Sequence, residues 1–292
     1  MLFTLCNQAA FGFSQEKLKI KTPAVSENRI DSSSRRAIIT SSVLATLSLM
    51  SSSKPCNAQS TISTTKIEEI QKIYDSTASS YEEKYSESFI SKKLDFDALR
   101  QNLLSQAKGN VLELGVGTGL NLPHYPDNDQ IKSYTAVDIS PKMLEQAKVR
   151  FDRGDKGVSE SLLNLYKQDK VSFEIADIGK LTSVFESKIK EGSDGLKFDT
   201  IIDTFGLCVF PEPLEALKQS REMLSPNGQL LLLEHQDSTV AKILSPTRNL
   251  SDVSKTCRYD DDVRKLLKSA GFNDVQYADL AAGFLINVIA KK

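Results

Sequence analysis

Three glycines at alternate positions, Gly115, Gly117 and Gly119, follow the apolar run Val111-Leu112-Glu113-Leu114. Glycine lacks a Cβ, so such a loop turns sharply and lets a ligand come close to the main chain. A strand that runs into the loop and on toward a helix offers free N–H groups to an anionic group, at the sheet edge where open α/β folds bind nucleotides. Two acids follow in matching settings. Asp138 ends the stretch Ser133-Tyr134-Thr135-Ala136-Val137, 23 positions after Gly115, and Asp177 ends the alternating stretch Val171 to Ala176. A carboxylate at the tip of the second strand sits beside the crevice and can accept both hydroxyls of a ribose. Each acid alone would pass as a surface residue. A glycine gap and two acids at successive strand tips together describe a nucleoside site.

Two readings compete for this loop. A dinucleotide fingerprint needs G-x-G-x-x-G, whereas this loop reads G-x-G-x-G with Glu113 two residues ahead of it. In that form it resembles motif I of the class I S-adenosylmethionine (SAM) methyltransferases. Three further segments carry the resemblance in order. Tyr74-Asp75-Ser76-Thr77-Ala78-Ser79-Ser80-Tyr81 is similar to the Y-D-x-x-A-x-x-Y opening of small-molecule methyltransferases. Asp138-Ile139-Ser140-Pro141-Lys142-Met143 is similar to D-x-S-x-x-M. Phe198-Asp199-Thr200-Ile201-Ile202-Asp203-Thr204-Phe205 resembles motif IV. The wording Thr204-Phe205-Gly206-Leu207-Cys208, with Met223 through His235, resembles a narrower set of the ubiquinone/menaquinone-biosynthesis type.

The resemblance covers residues 67–292 and implies a Rossmann-like α/β fold, a seven-stranded and mostly parallel sheet with helices on both faces. It implies SAM as cofactor. Gly115, Gly117 and Gly119 would leave room for the methionine moiety, and Glu113 would orient its ammonium. Asp138 would hold the ribose, Met143 would pack on the adenine and Asp177 would accept from the adenine amino group. Ile139 and Ile178, beside those acids, fall in the same site. Thr204, with Asp203 and Phe205, would line it where donor and acceptor meet. His235, at a strand end, is the best-placed general base if the acceptor must lose a proton. His124, in the proline-bounded loop, is a weaker one.

Those side chains need elements to position them. Ile67, Ile70 and Ile73 mark one face of a helix, and a second helix with Leu94, Ala98, Leu99 and Leu103 is expected to stop at Gly109. Ser140-Pro141 is a serine cap with proline at the first helical position, and the helix it opens runs to about Arg150. Residues 152–170 read as a polar insertion with a short helical patch. Pro211-Glu212-Pro213 opens a helix to about Leu224. Ser225-Pro226-Asn227-Gly228 reads as a turn before the buried strand Gln229 to His235. A helix ending at Gly271 and an antiparallel pair, Val275 to Leu280 and Phe284 to Ala290, complete the pattern.

The chain has 292 residues with 40% hydrophobic content, enough for one good-sized core, and a net charge of −1. No basic surface argues for nucleic acid. Of four cysteines, Cys6 and Cys56 lie near the N-terminus. A disulfide between Cys208 and Cys257 is not expected, and a metal site is expected even less. Residues 1–58 hold seven basic residues and three acids, with abundant Ser and Thr. Ser34-Arg35-Arg36, the 14-residue apolar run Ala37 to Met50 and Cys56-Asn57-Ala58 describe a processing signal. The run is shorter than the roughly 20 residues of a membrane span, and the alternative reading of the segment is a retained N-terminal anchor. An organelle address follows, plastid first and mitochondrion as the alternative, with Ser60 to Lys66 as linker. The partner expected is a small or lipid-like acceptor such as a quinone, reached in solution or at a membrane surface. The competing readings are a SAM-binding assembly factor without turnover and an NAD-dependent oxidoreductase.

Overall fold

The computed structural model describes residues 58–86, 94–154, 157–190, 196–239, 252–258 and 261–292. The processing signal falls outside them, apart from Ala58.

Seven strands form one sheet: β1 (Gly109–Leu114), β2 (Ile131–Asp138), β3 (Val171–Ile175), β4 (Phe198–Thr204), β5 (Leu224–His235), β6 (Asp274–Leu280) and β7 (Leu285–Lys291). Their order is β3-β2-β1-β4-β5-β7-β6. The first five are parallel, and β7 runs antiparallel to both β5 and β6. Apolar clusters pack on both faces of the sheet, one around Leu112, Ile201 and Leu232, the other around Val111, Ile202 and Leu231. Neighbouring residues of one strand thus feed opposite cores. That is why the central strands read as unbroken apolar runs rather than alternating ones.

Strand order reverses between β1 and β4, which pair in parallel with Leu114 opposite Asp203. The two strands send their chains off in opposite directions there, and the exits part to leave a crevice at the carboxyl ends. Helices hold the walls. Phe96–Leu104 begins at Asp95, whose side chain accepts from Ala98 N–H. Pro141–Arg153 starts on Ser140 as expected and stops at Gly154 in the left-handed conformation. Glu160–Lys167 is the helical patch of the insertion, and Leu181–Lys190, Pro213–Met223 and Val263–Ser269 complete the flanks.

Three expectations need correction. Ser60 to Lys66 is no linker, because the first helix already runs from Ala58 to Thr77. Its Ser/Thr-rich start hides the pattern, since apolar residues mark a face only from Ile67 on. Gly109 opens β1 rather than closing a helix, which has ended at Leu104. The glycine loop leads into a 3-10 turn, Leu122–His124, and not into an α-helix, as Pro123 and Pro126 in the sequence imply. Ser225 to Gly228 are absorbed into β5 as a bulge, where the register jumps from Phe198 opposite Leu224 to Thr200 opposite Gln229. Among the described residues, no helix is long and apolar enough to cross a membrane.

Candidate functional site

The crevice opens into a cleft whose empty space, counted out into open solvent, is about 1190 Å³. Gly115, Gly117, Asp138, Ile139, Met143, Asp177, Ile178 and Thr204 all line it. The strand tips therefore deliver the glycine gap and both acids to one cavity. Gly117 sits at φ +57°, and a Cβ there would meet nothing closer than 3.9 Å. The backbone is thus left bare to the cleft. Gly119 does a different job: a Cβ at its φ of +87° would lie 2.6 Å from Leu122. It is a packing glycine and does not line the cleft, contrary to expectation.

Asp138 is buried, with 7% of its surface exposed. Oδ2 accepts from Gly117 N–H and Oδ1 from Ser140 N–H, both at 2.8 Å. Each oxygen has two lone pairs, so these two bonds do not exhaust the carboxylate, and the acceptor capacity left over suits a ribose hydroxyl. Burial pushes its pKa up to about 6, against the pull of the N–H groups of Ser140, Gly117 and Ile139, while nearby Asp75 adds to the rise. Asp177 accepts from Gly179 N–H at 3.0 Å and lies 3.6 Å from Lys180 Nζ. Met143 is packed at 1% exposure beside the first acid.

Glu113 does not reach the cleft, which corrects the ammonium assignment. The side chain points beneath the glycine loop, and its oxygens are taken by Tyr125 and Tyr134 hydroxyls at 2.6 Å and Asn121 Nδ2 at 3.0 Å. Burial raises its pKa although these donors and the Arg100 charge oppose the rise. Its charge serves to fix the loop. The residue missed in the sequence is Arg100. Its guanidinium donates to Asn121 Oδ1 and, at 2.7 Å, to Thr204 Oγ1, lies over the Phe205 ring, and lines the cleft. A signal existed: Phe96, Arg100, Leu103 and Leu104 share one buried helix face, and an arginine in such a stripe needs a partner.

The Y-D-x-x-A-x-x-Y segment covers the cleft. Tyr74 and Tyr81 line it together with Ile67 and Ile70. Asp75 clasps the cover down, accepting from Ser140 Oγ at 2.5 Å and from Lys142 N–H at 3.3 Å. Arg150 ties the same cover to the glycine loop through Thr118 O at 2.8 Å and an ion pair with Glu82.

On the other wall Phe205 takes φ +61°, a left-handed conformation costly for a side-chain-bearing residue. Beneath it, Gly206 N–H donates to Asp203 Oδ1 at 3.1 Å and to Glu234 Oε1 at 3.0 Å. Among the described residues, the remaining oxygen of each acid finds no donor outside the pair. Burial pushes Asp203 up to about 7 and Glu234 well above its usual value, so the pair shares a proton near neutrality. Asp203 therefore shapes the wall rather than lining it.

His235 is displaced from the role of base. It sits against Phe205 and Phe284, away from the cleft lining, with its pKa lowered to about 4 by burial. Beside it, Cys208 and Cys257 form a disulfide with 4.9 Å between their Cα atoms, against the expectation of none. Their 49-residue separation concealed the contact, which the turn after β4 creates. His124 pairs with Asp97 at 3.4 Å, also off the cleft.

A family model described as a methyltransferase domain matches residues 83–277. The mitochondrial methyltransferase OMS1 of Saccharomyces cerevisiae is 29% identical over 205 residues, 66% of this chain. The chain spans only 40% of the length of that yeast protein. The thiol S-methyltransferase TMT1B of Rattus norvegicus is 24% identical over 195 residues, covering 62% of this chain and 70% of the rat protein. Among solved structures, the DhpI-SAM-HEP complex superposes with a TM-score of 0.51 at 17% identity, covering 76% of this chain and 96% of that one. That last likeness is one of fold.

Proposed function

Because the chain belongs to the methyltransferase-domain family, we propose that it moves the methyl group of S-adenosylmethionine to a small apolar acceptor, and that the acceptor is a thiol. The observation that carries the donor assignment is Asp138, a buried carboxylate at a strand tip on the cleft wall, held by backbone N–H groups and with acceptor capacity left for a ribose hydroxyl. Met143 and Asp177 then take the adenine, packing on its face and accepting from its amino group. Gly115 and Gly117 leave space for the methionine chain. Arg100 takes its carboxylate, because it is the cation lodged beside Thr204 on the cleft wall. Bound there, the cofactor supplies a methyl group already activated by a sulfonium. The protein's task is alignment and exclusion of water.

The choice of acceptor rests on the rest of the lining. Ile67, Ile70, Phe205, Val209 and Phe210 are apolar, and His235 stands behind Phe205. Such a wall suits an acceptor that ionises unaided. A thiol with pKa about 8.5 does so appreciably at neutral pH, whereas a phenol at about 10 does so much less. The name of the rat relative supports the same choice. A quinol-type acceptor would need a general base, and none of these five residues is one. For the compartment, the mitochondrial yeast relative favours the mitochondrion over the plastid.

The test is transfer of labelled methyl from SAM by the full-length protein to a panel of apolar thiols and quinols. Methylated thiol as the main product is expected. Preferential labelling of the quinols overturns the thiol reading, and no turnover with any acceptor, despite SAM binding, overturns the enzymatic one.

A further inference from the structure

Cys208, His235 and Cys257 come from three separate stretches: the loop after β4, the tip of β5 and the segment after the helix Asp252–Thr256. The two cysteines are buried and joined. His235 Nδ1 lies 3.5 Å from Cys257 Sγ, and one ligand atom of each residue falls within 4.8 Å of the others. A disulfide needs no imidazole at its side. A tetrahedral zinc site of mixed cysteine and histidine ligands does: with Zn–S about 2.3 Å and Zn–N about 2.0–2.1 Å, its nitrogen and sulfur ligands stand roughly 3.5 Å apart. The His235–Cys257 distance already has that value.

We propose that these three side chains form a metal site. In its dithiol form the site takes a thiophilic divalent cation such as Zn²⁺, and the Cys208–Cys257 disulfide is its oxidised, metal-free form. A dithiol reductant passes two electrons and two protons to the cysteines and leaves as its own disulfide. The cation then displaces the two thiol protons and binds both sulfurs and His235 Nδ1, with a fourth position left to water.

The two forms hold the same parts together. Cys208 belongs to the Phe205–Phe210 stretch that walls the cleft. Cys257 precedes Arg258, whose backbone N–H donates to Cys208 O at 2.9 Å and whose Nη2 donates to Phe210 O at 2.8 Å. Thr256 meets the Tyr74 hydroxyl of the cover at 3.3 Å. A disulfide secures this junction where conditions oxidise, and a bound cation secures it where disulfides do not persist.

The test uses the full chain with Cys6→Ser and Cys56→Ser, which removes the other thiols. The protein is reduced with a phosphine, desalted without oxygen and titrated with Co²⁺. One equivalent is expected to bind with thiolate-to-cobalt charge-transfer absorption and the visible bands of a tetrahedral ion, and Zn²⁺ should bleach both. The unreduced protein should give neither. Cys208→Ser and Cys257→Ser should abolish the charge-transfer band or shift it to a single-thiolate form, and His235→Ala should weaken binding about tenfold or more. Near-ultraviolet circular dichroism tracks the fold throughout. If reduction lowers that signal and Zn²⁺ restores it, the site is supported. A reduced protein that gives no thiolate absorption with Co²⁺, folded or not, overturns the proposal.

Discussion

Replacing Asp138 by asparagine separates binding from stability, because the two respond with opposite sign. The carboxylate costs the free protein energy. Its pKa rises from 3.8 to about 6 on folding, and that rise corresponds to about 3 kcal/mol against the ionised, buried form. The folded pKa lies above the unfolded one, so this group's share of stability is lost as pH rises from about 4 to about 6 and stays lost above it. Asparagine removes the charge and the penalty. It keeps one acceptor for Gly117 or Ser140 N–H and turns an NH₂ toward the other, which costs about 1–3 kcal/mol. Stability at pH 7.5 should thus change by no more than about 2 kcal/mol, a shift of a few degrees in Tm. Binding behaves otherwise. A hydrogen bond to a charged acceptor contributes about 1.5–3 kcal/mol. The variant loses one such bond to the ribose and reduces the other to a neutral one. A deficit of about 2–4 kcal/mol predicts roughly 30- to 1,000-fold weaker SAM binding by calorimetry. Wild-type affinity should itself fall as pH drops below about 6 and Asp138 takes up a proton, and the variant should lack that dependence. An affinity within about threefold of wild type would refute the ribose assignment. A large loss of Tm alongside the loss of affinity would reduce Asp138 to a structural acid.

Three further outcomes are expected. Arg100→Met should weaken SAM binding by about tenfold or more while leaving methylthioadenosine, which lacks the carboxylate, nearly unaffected; equal losses for both ligands would remove Arg100 from the carboxylate role. Asp203→Asn should stabilise the protein at pH 8 and flatten its stability between about pH 4 and 7, the window over which the wild-type carboxyl, raised from 3.8 to about 7, loses its contribution as pH rises; urea unfolding at pH 5 and 8 measures this, and an unchanged slope would contradict the shared proton. Gly117→Ala and Gly119→Ala should diverge. Both strain a positive φ by about 1–2 kcal/mol, but only Gly119→Ala also forces a Cβ against Leu122, so it should unfold at the lower temperature, and equal melting points would refute the distinction.

What the sequence reveals here is local. The glycine spacing, the acids at strand tips and the Ser140-Pro141 helix start are each written within a few residues, and the cleft gathers Asp138, Asp177, Met143 and Thr204 as those patterns imply. Direction is what a strand pattern leaves open. Glu113 and Asp138 both belong to parallel strands at the crevice, yet one turns beneath the loop and the other toward the cavity, because Tyr125 and Tyr134 wait below Glu113. Long-range partners are hidden for the same reason. Arg100 acquires its meaning only when Asn121 and Thr204 arrive from 21 and 104 residues away. His235 looked poised at a strand end, but the left-handed turn at Phe205 puts an aromatic ring between it and the cleft.

The clasp at Asp75 links two events that a static view keeps apart. The hydroxyl that holds the cover, Ser140 Oγ, belongs to the residue whose main-chain N–H steadies the ribose acid. Lifting the helix therefore withdraws a neighbouring negative charge from Asp138 and eases its ionisation, since Asp75 is one of the groups that resist it. In the proposed reading, admission and release of the nucleoside past this helix would be linked in this way to a proton.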